Sequence, residues 1–252
     1  MESGSGHGRP VTQIAKLKIK PGNEKRSISQ HRPTQEKTKE LRANEFKKIA
    51  KELLSQFPQL ASDRKMIFRS PIEDLLCGLS FGDSIDANAF YVSRFFMPLY
   101  VPTESTFGER VRVSGNQGWR CNDPHLIENL ADTIRRERSF LDRVSTLSGA
   151  LDDLKSRIDR GRPRVNSHVL EAYACTLIKC GDYPSALESL AELKRMLEGD
   201  TIPWVVAQFD RAHFIELKLL QSPEAALAQM EAWKDETICK LGLEKYRGRP
   251  AA

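Results

Sequence analysis

Apolar residues recur every three or four positions along most of the chain, which is the spacing of one helix face. Residues 39–57 show this pattern first, and Pro58 ends it because a proline ring cannot continue a helix. The pattern therefore predicts a helix over 39–57. We expect a second helix after Pro71, in IEDLLCGL, since proline followed by acidic residues is a favourable helix start.

Only the centre of the chain resembles β-structure. Residues 89–102 are dense in aromatic and branched side chains, residues 110–113 alternate Arg and Val, and residues 66–68 form a third short apolar run. These three segments predict a small antiparallel sheet. Pro98 has no N–H to donate, so its strand is expected to lie at the sheet edge or to end there.

A long amphipathic helix is predicted to follow. Asp123 is a natural N-cap and Pro124 suits the first helical position. The apolar face continues to about residue 160, and from 144 to 158 its spacing is close to a heptad seam. The pattern predicts one helix, or two with a break near Ser148-Gly149, ended by Gly-Arg-Pro at 161–163.

Residues 165–246 are predicted to form antiparallel helical hairpins. One helix spans 169–179, a turn follows, and the next helix spans 184–197. The first helix has a small residue, Ala174, and the turn has a glycine and an aromatic residue, Gly181 and Tyr183. The second helix has Ala186 and two apolar packing positions, Leu190 and Leu193. At these positions the stretch resembles a tetratricopeptide repeat.

A weaker copy of the hairpin lies forty residues further on, against a typical period of about 34. In this copy Phe214 replaces the small Ala174, and Gln221 replaces the turn glycine. The matching apolar pairs are Leu177 with Leu217, Ala186 with Ala226, Leu190 with Met230, and Leu193 with Trp233. The resemblance implies stacked hairpins that bind another protein, with the helix at 124–160 completing the stack.

The predicted fold class is α+β: a small antiparallel sheet with helices, followed by an all-α helical-hairpin region. We expect four parts. These are a disordered basic tail at 1–38, an α+β domain at 39–122, a connecting helix or helix pair at 123–163, and a helical-hairpin domain at 164–247.

Charge separates the tail from the rest of the chain. The first forty residues hold nine Lys or Arg and four acids, so their formal charge of +5 equals that of the whole chain. The remaining residues are therefore charge-balanced, which argues against a folded nucleic-acid-binding surface. A basic arm that touches nucleic acid stays an alternative, through Lys16, Lys18, Lys20, Lys25 and Arg26.

The cysteines and the hydropathy of the chain indicate the cellular environment in which the protein is expected. The five cysteines, at 77, 121, 175, 180 and 239, form no CxxC pair and are predicted to be reduced, mostly buried thiols of a cytoplasmic protein. No apolar run approaches the roughly 20 residues that span a bilayer, so no membrane association is expected.

Motifs for chemistry are missing from the sequence. It contains no phosphate-binding GxxxxGK[ST], no GxSxG, no HExxH and no zinc-ligand spacing. His213 and Glu216 could share a metal, and Asp83 and Asp86 could ligate a cation, but a surface histidine and a hydrogen-bonded turn explain them more simply. We expect no metal and no cofactor.

Three functions follow, and the first is favoured. It is an interaction or scaffold protein that binds another protein, or a second copy through the seam at 144–158, with candidate contacts Trp119, Tyr173, Tyr183, His213 and Trp233. The second is an enzyme with a motif-less site near the sheet, built from Asp83, Asp86, Arg94, Trp119, Arg120 and His125. The third is a nucleic-acid-associated component that uses the basic arm, or the cluster Arg135-Arg136-Glu137-Arg138.

Overall fold

The apolar runs between residues 60 and 120 form strands of one antiparallel sheet in a computed structural model of the protein. The structure describes residues 43–86, 88–103, 110–113, 118–161 and 166–248. The strands are β1 (Leu60–Asp63), β2 (Met66–Arg69), β3 (Leu75–Asp83), β4 (Ala89–Pro98), β5 (Val111–Arg112) and β6 (Trp119–Arg120). They are ordered β1-β2-β3-β4-β5, with β6 also paired to β4.

The prediction of a helix after Pro71 is wrong, because most of this segment forms strand β3. Strand β3 lies in the middle of the sheet between β2 and β4, and it is buried from Leu75 to Phe81. A strand covered on both faces has no polar alternation, so its apolar run can be mistaken for a helix. The other strand predictions are confirmed in β2, β4 and β5, whereas β1 and β6 were not predicted.

Pro98 ends its strand rather than lying along an edge. Strand β4 is central, since it pairs with β3 on one side and with β5 and β6 on the other. Pro98 is its last residue, opposite Leu75. The missing N–H therefore falls where the ladder stops.

Two helices cover one face of the sheet. Helix α1 (Ala43–Gln56) and helix α2 (Leu126–Val144) share a core with β3 and β4, built around Phe46, Leu79, Phe90 and Leu130. The helix predicted from Pro124 begins later, at Leu126. Asp123 instead accepts the backbone N–H of His125 at 2.9 Å in the preceding turn.

The long apolar face belongs to two helices. Helix α2 ends at Val144 and helix α3 (Leu147–Gly161) begins after a break at Ser145-Thr146, three residues before the predicted break. Gly149 lies in the first turn of α3, where an added Cβ would be 2.1 Å from the carbonyl oxygen of Arg143. The glycine marks the close approach of the two helices rather than the break itself.

Four helices form the predicted hairpins. They are α4 (Ser167–Cys180), α5 (Tyr183–Leu197), α6 (Pro203–Gln221) and α7 (Pro223–Leu241), followed by a 3-10 turn at Glu244–Tyr246. Asn166, Asp182 and Ser222 cap α4, α5 and α7 through their side chains. Gly181 has a φ of 82°, so the predicted turn glycine occupies the left-handed conformation that ends α4.

The sheet and the hairpins share buried side chains. One core cluster joins Cys77 and Tyr100 of the sheet region to Ala174 of α4 and Leu190 of α5. A second cluster packs Ile238 and Leu241 of α7 against β2, β3 and β4. The α+β fold class is therefore confirmed: a small antiparallel sheet is followed by a run of helices.

The predicted basic tail at 1–38, with Lys16, Lys18, Lys20, Lys25 and Arg26, lies outside the described residues. None of the helices described is both long and apolar enough to cross a bilayer.

All five cysteines are free thiols, but only Cys77 and Cys175 are buried, so the expectation of mostly buried thiols is wrong.

Candidate interaction surface

The outward side of α6 carries an exposed apolar stripe. Val206, Phe214, Leu217 and Leu220 are 41%, 43%, 51% and 65% exposed. With the exposed residues Ala207, Asp210 and His213 between them, these four side chains define what we call the α6 outer face. Large apolar side chains exposed together on one side of a helix commonly mark an interaction site.

The opposite side of α6 fixes its orientation. Val205, Gln208, Ala212, Ile215 and Leu219 are buried and recur at spacings of three and four residues. This inward stripe packs α6 into the hairpin core together with α5 and α7. Because the inward stripe already fills the core, the outer face is left to solvent.

A buried polar cluster joins α6 to α4. The carboxylate of Glu171 accepts hydrogen bonds from Arg211 at 2.9 and 3.1 Å and from the amide of Gln208 at 2.8 Å. Glu171 is 4% exposed and Gln208 is fully buried. A buried carboxylate held by an arginine and an amide fixes both helices in one relative position, since a shift would leave charges unpaired.

Side chains along the margins support the outer face. Trp233 of α7 lies beside Phe214 with a ring-centroid distance of 6.3 Å, and the ammonium group of Lys218 is 5.5 Å from the Phe214 ring centre. On the α5 side, Lys194 forms a short ion pair with Glu216. The outer face is therefore flanked by side chains of α7 on one side and of α5 on the other.

The first and second hairpins differ at equivalent positions. Ala174 and Leu177 of α4 are buried, at 0% and 2% exposure, whereas their repeat equivalents Phe214 and Leu217 are exposed. Helix α4 lies inside the molecule, where the Tyr100 hydroxyl contacts Thr176 at 2.8 Å. The second hairpin presents larger apolar residues at positions that the first hairpin buries.

The predicted partner-binding residues do not form one site. His213 lies on the α6 outer face with its side chain 52% exposed, and Trp233 contacts Phe214 beside it. Tyr173 and Tyr183 are partly buried against the main core. Trp119 lies in β6 and packs against the α1–α2 core.

Sequence reasoning missed four residues of the outer face: Val206, Phe214, Leu217 and Leu220. In the sequence, Phe214 stands out only as a departure from the small residue of the repeat pattern at Ala174. The usable signal was the coexistence of two apolar stripes on one helix, since a helix that packs on one side needs only one.

The residues proposed for an enzyme site bind separate partners. Asp83 pairs with Lys65 at 2.7 Å, and Arg94 pairs with Glu137 at 2.9 Å. Asp86 and Arg120 approach each other at 3.6 Å. His125 is exposed and contacts Glu128 at 3.0 Å. Among these four contacts of the described residues, the Asp86–Arg120 contact is the one that joins two of the candidates.

Possible metal ligands are also separate. His213 Nδ1 is 3.6 Å from Glu216, but that carboxylate is already paired with Lys194. Within the described ranges, no three histidine, cysteine or acidic side chains come together as a metal site would require.

Trp119 and the basic cluster of α2 meet at the sheet edge. Asn129, Asp132, Arg135 and Arg136 surround a depression beside the Trp119 ring. Arg135 is paired with Asp132, and Arg136 donates to the Thr133 hydroxyl at 2.9 Å. The Trp119 Nε1–H is buried without a hydrogen-bond partner among the described residues, so it does not reach the depression.

Comparison with known proteins identifies no relative. No protein-family model matches the chain, and no curated protein or solved structure shows significant similarity to it. The resemblance to tetratricopeptide repeats therefore depends on the residues and hairpins described above.

Proposed function

We propose that this is a protein-interaction protein whose binding surface is the α6 outer face. The observation that carries the proposal is the exposure of Val206, Phe214, Leu217 and Leu220 at helical spacing. Each of these side chains leaves more than two fifths of its surface in water, which is unfavourable for large apolar groups. A partner that covers the stripe removes this cost.

The shape of the stripe favours a helical partner. From Val206 to Leu220 the stripe runs along about 21 Å of helix, at 1.5 Å per residue. Its four apolar positions are separated by eight, three and three residues, which keeps them on one side of α6, where the apolar face of another helix can pack. The partner we propose is therefore an amphipathic helix of about four turns.

The buried Glu171–Arg211 contact supports this role because it fixes the surface before binding. Both guanidinium bonds to the carboxylate come from a side chain of α6 itself. A preorganised surface loses less conformational entropy on association than a mobile one. The outer face is thus supported by a fixed backbone.

Leu217→Asp tests the proposal. Tagged wild-type protein, L217D and the control I85D are used to capture partners from the native host, and the retained proteins are quantified by mass spectrometry. Ile85 is 93% exposed and lies in the β3–β4 loop, so it gives the same substitution at a distant exposed site. Circular dichroism confirms that all three proteins are folded.

We expect a protein that both wild type and I85D retain and that L217D retains at least tenfold less. A photo-crosslinker at position 214 should attach to a helical segment of that protein. Equal retention by L217D and wild type would refute the α6 outer face as the binding surface.

A further inference from the structure

The α6 outer face has the spacing of a coiled-coil seam. Positions 203, 206, 210, 213, 217 and 220 are separated by alternating steps of three and four residues. This is the spacing at which two helices pack side by side with their side chains interdigitated. The seam is apolar except at Asp210 and His213.

These two polar residues lie at the centre of the seam and leave hydrogen-bonding groups open to a partner. Asp210 is exposed and has no ion-pair or hydrogen-bond partner among the residues that the structure describes. His213 approaches Glu216 only through Nδ1, and Glu216 is already bound to Lys194. A charged and a polar side chain inside an apolar stripe weaken binding to a purely apolar partner, so their presence selects among partners.

An antiparallel second copy of α6 satisfies both residues. Alternate seam positions face each other when two such helices pack antiparallel. In this register Val206 lies opposite Leu217 of the second copy, and Asp210 lies opposite His213 of the second copy. The two-fold axis repeats each contact, as a self-complementary interface requires.

Side chains beside the seam fit the same register. Phe214 follows His213, and Ala207 follows Val206, on the same flank of the seam. Across the two-fold axis the large Phe214 ring meets the small Ala207 of the second copy. A parallel pairing would instead place Asp210 against Asp210 and His213 against His213, which is unfavourable for like charges.

We infer that the protein forms a homodimer through antiparallel pairing of the α6 outer faces, held in register by two Asp210–His213 contacts. This inference rests on the proposed function, since the helix that covers the face is here α6 of a second copy. An imidazole N–H donates to a carboxylate in either charge state of the histidine, so the contact does not require a protonated ring.

Sedimentation equilibrium of the full chain is the first test. We expect a reversible monomer–dimer equilibrium for wild type and for I85D. L217D should raise the dissociation constant at least tenfold, because it places a carboxylate opposite Val206 of the second copy. A wild-type protein that stays monomeric over the accessible concentration range overturns the inference, whether another protein or another segment of this chain then covers the face.

An exchange of the polar pair tests the register. H213D places two carboxylates opposite each other and should raise the dissociation constant at least tenfold. D210H removes the acceptor and should also weaken the dimer. The double variant D210H/H213D restores both contacts with donor and acceptor exchanged, so it should recover the affinity to within about threefold. Failure of this recovery, with the dimer still sensitive to L217D, overturns the antiparallel register.

The two proposals fail in distinguishable ways. If wild type is monomeric but captures a different protein that L217D loses, the protein-interaction function stands and the homodimer does not. If wild type and L217D dimerise with the same affinity, the homodimer through this face is wrong, and equal capture of other proteins by the two would refute the protein-interaction function as well.

Discussion

Glycine at position 78 is required by the approach of a neighbouring strand. A Cβ at this position would lie 2.2 Å from the carbonyl oxygen of Ile67 and 2.6 Å from Cα of Phe68. Gly78 pairs with Phe68 on one side and with Phe95 on the other, so its backbone has strands on both sides. The space that glycine leaves is used by β2.

We therefore expect Gly78→Ala to lower the free energy of unfolding by about 1–3 kcal/mol, as overpacking does. Urea unfolding followed by circular dichroism measures this change. Gly82→Ala is the matched control in the same strand, because the nearest atom to its Cβ is the Tyr91 oxygen at 4.0 Å. An equal loss in both variants would show that strand propensity, not the contact with β2, explains the effect.

A buried hydroxyl pair joins the end of the sheet to α4. Tyr100 is fully buried, and its hydroxyl lies 2.8 Å from Oγ1 of Thr176. Thr176 donates to the carbonyl oxygen of Ala172 at 2.6 Å, so Tyr100 is the donor in the pair. Burial raises the pKa of the Tyr100 hydroxyl well above its ordinary value, which keeps the hydroxyl protonated.

Thr176→Val should lower the free energy of unfolding by about 1–3 kcal/mol, because it leaves the Tyr100 hydroxyl buried without an acceptor. Tyr100→Phe should cost less, since Thr176 keeps its bond to Ala172. In a double-mutant cycle measured by urea unfolding, the double variant should be little less stable than T176V alone. Additive losses would mean that the two hydroxyls do not interact.

At the scale of elements, four charged side chains connect α4 and α7 to the turn before β3. Lys179 and Lys234 each approach Asp74 and Glu231, at distances from 2.5 to 3.1 Å. Burial raises the pKa of Glu231, but hydrogen bonds from Lys179 and Lys234 outweigh it and lower the pKa overall. The charged form of Glu231 is therefore favoured in the folded protein.

Acid should weaken this connection selectively. A carboxylate with a lowered folded-state pKa stabilises the protein above its unfolded pKa, and this contribution is lost as the pH falls through the folded value. Wild type should therefore lose more stability between about pH 5 and pH 3 than Glu231→Gln, as seen in urea midpoints. Glu236→Gln, an exposed site on α7, should keep the wild-type pH dependence.

The sequence predicts an element well when one side of that element is exposed to water, because its polar and apolar residues then alternate with a recognisable period. Helices α1 and α5 have a polar face, and the sequence predicts both. Strand β3 is buried along most of its length, so Leu75 to Phe81 carry no alternation from which a strand could be recognised. Asp123 and Pro124 predict too early a start for α2, because both residues suit a helix start but form the turn before it.

The α6 outer face shows a different limit of sequence reasoning. The repeat comparison matches Leu217 with the packing residue Leu177, whereas Phe214 departs from the small residue at Ala174. Apolar spacing identifies a face but not the element that covers it. In α4 the face is covered within the molecule, and in α6 it is exposed.

At the scale of the whole molecule, one core crosses the boundary predicted between the α+β and hairpin domains. Cys77 of β3 and Cys175 of α4 belong to the same cluster of buried side chains. Side chains packed in one core lose contacts together when either part opens. We therefore expect the sheet and the hairpins to unfold as one cooperative unit.

The two buried thiols can report on this unfolding separately. Burial raises the pKa of Cys77 to about 11, and it raises that of Cys175 further, so neither thiol forms a reactive thiolate while it is buried. In one variant Cys77 is the only cysteine, and in a second variant Cys175 is the only cysteine. Labelling of each by a thiol reagent is followed by mass spectrometry across a urea series, and urea unfolding by circular dichroism confirms that the two variants are equally stable.

The rates of labelling at Cys77 and Cys175 should rise over the same range of urea, with the same dependence on its concentration, because one opening event exposes both thiols. A third variant, in which the exposed Cys239 is the only cysteine, provides the control that should react rapidly without urea. If Cys175 became reactive at a lower urea concentration than Cys77, the hairpins would unfold before the sheet. The boundary near residue 164 would then separate two independently stable domains despite their shared core.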